Sequence, residues 1–134
     1  MFIPYFMERS NTTMTWYNAI VNSTVSTTQY LKDHYPDVIF RVVGQEERDG
    51  KIIRTSEFVK NGKIIVHSTV EMPVDLNPPE FIKLMRLRVK PIGDVVKENG
   101  YRVERRILAN DTIFKEYEMK GDVSMKITEI YYDM

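Results

Sequence analysis

The chain has 134 residues, 19 basic and 19 acidic side chains and no cysteine. That length suits one domain that can bury a core without a disulfide or metal staple. The charge balance argues against a chain built mainly to hold nucleic acid or an acidic membrane, and the lack of cysteine removes thiol catalysis, cysteine zinc sites and disulfide frameworks.

Taken in chain order, Met1 to Arg9 is apolar but short and has no basic leader, so it does not read as a signal peptide. No run approaches the roughly 20 apolar residues of a membrane span. The expectation is a cytoplasmic protein whose partner is a small molecule, with neither membrane nor nucleic acid involved. Trp16, Tyr17, Ile20 and Val21 recur at helical spacing. Ser26 is placed to cap a second short helix through Leu31, which His34-Tyr35-Pro36 stops, because the residue before proline avoids the helical region. Val38 to Val43 is rich in β-branched residues and reads as a strand. Gly44 and Gly50 bracket a hydrophilic stretch, Gln45 to Asp49, which reads as a connection. Ile52 to Lys60 and Lys63 to Glu71 flank Asn61-Gly62, the signal of a type I′ hairpin.

An irregular crossing from Pro73 to Pro79 follows, then two short helices, Glu80 to Leu87 and Ile92 to Glu98, the second ended by Gly100. Tyr101 to Ala109, Thr112 to Lys120 and Ser124 to Tyr131 read as three more strands, joined by turns at Asn110-Asp111 and Gly121-Asp122. Hairpins imply antiparallel pairing. The helices precede the sheet and interrupt it once. The expected fold is therefore α+β, a six-stranded antiparallel sheet with helices covering one face, in one domain over residues 1–134.

Strand parity singles out three charges. Side chains alternate faces along a strand, so Glu129 shares the apolar face of Met125, Ile127 and Tyr131. Arg105 shares that of Tyr101, Val103 and Ile107, and Arg54 that of Ile52 and Phe58. A buried ion pair would account for these charges. So would a site for a carboxylate ligand, since arginine binds carboxylates bidentately and keeps its charge when desolvated. His67 reads as an ordinary strand histidine, and neither it nor His34 stands at a metal-binding spacing. The Tyr131-Tyr132 pair reads as an edge of the core.

Four segments together resemble the chorismate lyase-like family, in particular its small archaeal-type branch of chorismate–pyruvate lyases. They are Ser26-Thr27-Thr28-Gln29-Tyr30-Leu31, the unit from Arg54 through Gly62 to Pro73, Lys90-Pro91-Ile92-Gly93-Asp94, and Ile127-Thr128-Glu129-Ile130. Their order and separations agree over roughly residues 15 to 131. The resemblance implies an antiparallel six-stranded sheet with helices covering the ligand. It also implies elimination of pyruvate from chorismate to leave 4-hydroxybenzoate, with no metal or organic cofactor. By this resemblance Arg54 and Glu129 are the catalytic pair, while Thr27 and Ile92 offer backbone amides to the ligand. Both of these lie near expected helix starts, where unpaired N–H groups favour an anion. Arg105 is a further substrate-binding candidate. Glu129 is open to three roles: contacting the ring hydroxyl, accepting the ring proton or protonating the leaving oxygen.

Three readings follow. A lyase requires Arg54 and Glu129 on one enclosed cavity. A non-catalytic binding module for a small aromatic or carboxylic acid requires the cavity and binding without turnover. A purely structural charge cluster requires direct Arg–Glu contact and no cavity.

Overall fold

The computed structural model describes residues 15–134, and the reading of Met1 to Arg9 lies outside the described residues. A 3₁₀ turn at Trp16–Ala19 and helix α1 (Thr27–His34) come first. Strands β1 (Ile39–Arg48), β2 (Lys51–Lys60) and β3 (Lys63–Pro73) follow. Helices α2 (Pro79–Arg86) and α3 (Ile92–Glu98) precede β4 (Val103–Asn110), β5 (Phe114–Gly121) and β6 (Met125–Tyr131). The strands form one antiparallel sheet in the order β1-β2-β3-β6-β5-β4. The α+β architecture with six antiparallel strands is thus as expected.

Local chemistry accounts for most boundaries. The Ser26 hydroxyl accepts from the Gln29 amide and caps α1. Pro79 opens α2, where proline's missing N–H costs nothing. Gly100 and Tyr101 donate to the carbonyls of Lys97 and Val96, closing α3 in a Schellman motif. Asn61 and Gly62 have φ of 51° and 78°, the pair of positive angles that a type I′ hairpin requires.

Three expectations need correction. Gln45 to Asp49 is not a connection: β1 runs on to Arg48, and Asp49-Gly50 is itself the hairpin turn, with φ of 54° and 75°. A bulge between Val42 and Gly44 resets the register, and tertiary partners hold the polar half of the strand, with Gln45 bonded to α2 and Glu47 to Arg86. The spacing from Trp16 to Val21 yields one 3₁₀ turn rather than an α-helix. The β4–β5 turn is longer than Asn110-Asp111, because the Asp111 carboxylate accepts from the amides of Ile113 and Phe114 and delays the strand to Phe114.

The covered face of the sheet carries two apolar clusters. One lies under α2 and α3 and includes Ile52, Met72, Phe81, Val96 and Met125. The other lies under the 3₁₀ turn and α1 and includes Tyr17, Ile20, Leu31, Phe58 and Tyr131. Between them runs a polar row. Ser56 pairs with Ser68, Ser68 with Glu129, and Glu129 with Lys115, across β2, β3, β6 and β5 in register. All four side chains are buried. The sheet thus places polar chemistry in a seam between two cores.

Candidate functional site

A cavity of about 40 Å³ sits over this seam. Its floor is the sheet, with Arg54 from β2, Glu129 from β6 and Arg105 from β4. Its roof is made of the first residues of α1 and α3, Ser26 to Thr28 and Pro91 to Gly93. All five residues singled out in the sequence, Thr27, Arg54, Ile92, Arg105 and Glu129, line this one space.

Arg54 is 1% exposed. Its Nε donates to Gln45 Oε1 at 2.8 Å, its Nη1 to the Lys90 carbonyl at 2.9 Å and its Nη2 to the Met85 carbonyl at 3.0 Å. These neutral oxygens aim the guanidinium, but none cancels its charge. Burial, with a smaller push from the Arg88 charge, lowers its pKa to about 10. Among the described residues no carboxylate forms an ion pair with Arg54, Arg105 or Lys115. Arg105 is half-buried, and its Nε is buried with no hydrogen-bond partner among the described residues.

Glu129 is 5% exposed. Its Oε1 accepts from the Thr27 hydroxyl at 2.7 Å and from the Tyr131 hydroxyl at 2.8 Å. Both bonds end on one oxygen, and no described side chain donates to Oε2. Burial first, and then the neighbouring Glu129 charge, hold the Tyr131 hydroxyl firmly protonated, so it acts as a donor. Thr27 therefore contributes its side chain as well as its place at the start of α1. Ile92 is the first residue of α3 and presses on the cavity from above.

The roof is tightly joined at one point. A Cβ built on Gly93 would stand 2.9 Å from Thr28 Oγ1 and 3.0 Å from Thr28 Cβ, so only glycine lets α1 and α3 touch there. Elsewhere they meet through polar side chains: Lys32 with Asp94 at 2.7 Å, and Lys97 with Gln29 at 2.8 Å. A more open groove of about 510 Å³ shares Ser26, Thr28, Gly93 and Arg105 with the cavity.

The structural-cluster reading does not fit this geometry, since there is a cavity and no direct Arg–Glu contact among its charges. Residue reading missed Lys115 and the role of Tyr131. The signal for Lys115 was available: it shares strand parity with Tyr117 and Met119, opposite Glu116 and Glu118. Tyr131 does sit in a core cluster, but its hydroxyl reaches the site. Among the described residues no three histidine or carboxylate side chains converge to hold a metal ion, and no helix is long and apolar enough to cross a membrane. Comparison with known proteins finds no matching family model and no significant match among curated proteins.

Proposed function

We propose that the protein is a chorismate pyruvate-lyase of the chorismate lyase-like fold, releasing pyruvate and 4-hydroxybenzoate in the cavity between the two cores. One observation supports this most: Arg54 is a fully buried cation without a carboxylate partner among the described residues, on a cavity that Glu129 also lines. Keeping an uncompensated charge out of water is costly, and an anionic ligand supplies the missing compensation.

In this reading Arg54 binds a substrate carboxylate and fixes the ring over the seam. The free oxygen of Glu129 takes the proton from the ring carbon that bears the hydroxyl. The neighbouring carbon–oxygen bond to the enolpyruvyl group breaks, the ring becomes aromatic, and pyruvate leaves as its enolate and is protonated. Aromatisation drives the step, so positioning and electrostatics are enough. The cavity has room for about three waters, so the acid enters by parting the roof. The exposed polar contacts between α1 and α3 make that opening inexpensive.

The test is incubation of the purified protein with chorismate and no added metal, following both products by chromatography, with Arg54→Ala and Glu129→Ala alongside. Equal amounts of 4-hydroxybenzoate and pyruvate from the wild type, sharply reduced in both variants, are expected. Products unchanged in both variants would overturn the site assignment. An absence of products with retained binding of 4-hydroxybenzoate would replace the lyase by a non-catalytic acid-binding module.

A further inference from the structure

Lys115 is a buried charge that the proposed reaction leaves unused. It is 1% exposed, on the covered face of β5, at the end of the polar row. Its Nζ donates to the carbonyls of Ile20 at 2.8 Å and Ser23 at 2.9 Å, and lies 5.1 Å from the centre of the Tyr117 ring. The two carbonyls belong to the turn that leads into α1, and α1 brings Thr27 to Glu129. Lys115 is also the direct cross-strand partner of Glu129, which places their Cβ atoms about 5 Å apart.

We propose that Lys115 is the cross-strand charge neighbour of Glu129, coupled to it without a direct ion pair, and the clamp of the Ile20–Ser23 turn, a positioning residue that holds the Thr27 donor of Glu129 in place. The other groups around Glu129 do not supply this charge from its own row. Thr27, Ser68, Tyr117 and Tyr131 are neutral. Arg105 pairs with Met119, two face positions along the strand from Lys115, and Arg54 comes from β2, two strands away on the other side. Burial lowers the Lys115 pKa and the Glu129 charge works against that lowering, as expected of neighbours that sense each other. The functional meaning of the pair rests on the proposal that Glu129 meets the ligand, but the charge coupling can be read without any ligand.

The experiment is a ¹³C NMR titration of ligand-free protein, following Lys115 Cε in the wild type and in Glu129→Gln. The glutamine keeps a carbonyl oxygen for Thr27 and Tyr131 and loses the charge. The Lys115 midpoint is expected to fall by about one pH unit. In Lys115→Met the backbone NMR signals from Ile20 to Thr27 are expected to shift, because the clamp on their turn is lost. An unmoved Lys115 midpoint in Glu129→Gln overturns the proposal, and it does so even where Lys115→Met fails to fold. Coupled titrations in a protein that does not turn over chorismate would retain this pair and remove the lyase, while turnover without coupling would do the reverse.

Discussion

The two faces of the sheet hold their charges in opposite ways. On the open face, cations stand beside carboxylates across the strands: Arg41 by Glu57 at 2.8 Å, Arg106 by Glu118 at 2.6 Å, Lys51 by Glu71 at 3.4 Å. Arg106 and Lys51 are largely in water. On the covered face, Arg54, Lys115 and Glu129 are buried, and each is held by neutral carbonyls or hydroxyls rather than by direct ion pairs. Glu57 is buried and Glu118 mostly covered, but each carboxylate has a water-facing cation beside it, so these charges cost little to keep. Buried charges without a direct ion pair cost much more, and the proposed ligand site lies among them on the covered face.

Substitutions on the two faces sharpen this contrast. The largest expected effect is Glu129→Ala in the chorismate assay, a fall in product formation of about 10²- to 10⁴-fold, the range for losing a general base. Arg106→Ala, on the open face, leaves the rate within twofold of wild type. Next comes ligand-linked stability. At 4-hydroxybenzoate concentrations near 100 times its dissociation constant, urea unfolding shows about 2.7 kcal/mol of added stability in the wild type. Arg54→Met shows none, because the acid's carboxylate has lost its cation. A third effect lies in the roof. Gly93→Ala wedges α1 from α3 against Thr28 and costs about 1–3 kcal/mol by urea titration. The smallest effect is on the open face again: a double-mutant cycle on Arg106 and Glu118 gives a coupling below about 1 kcal/mol that shrinks with added salt. A coupling of several kcal/mol there would break the contrast between the faces.

The parity of single strands located Arg54, Arg105 and Glu129, because a charge among alternating apolar residues must point inward. The same parity applied to β5 points to Lys115. Parity says nothing of register, however, and the row Ser56–Ser68–Glu129–Lys115 exists only because four strands align in one way. Nor does local pattern show that Gln45 serves a strand. Its polar neighbours suggested a loop, while the arginine and helix carbonyl that hold it lie on β2 and α2.

What the sequence by itself determined is local: the Asn61-Gly62 hairpin turn with its two positive φ angles, the Ser26 cap, the Gly100 stop, the α+β class and the face on which each charge must lie. Those outcomes depend on neighbours a few residues apart. The tertiary structure alone decided that Arg54 has no direct carboxylate partner among the described residues, that Thr27 and Tyr131 share one oxygen of Glu129, and that Gly93 lets α1 and α3 close over the seam. Hydrogen-bond partners and close approach are properties of groups up to 116 residues apart in the chain, and they take form only when the strands have chosen their register and the helices have packed.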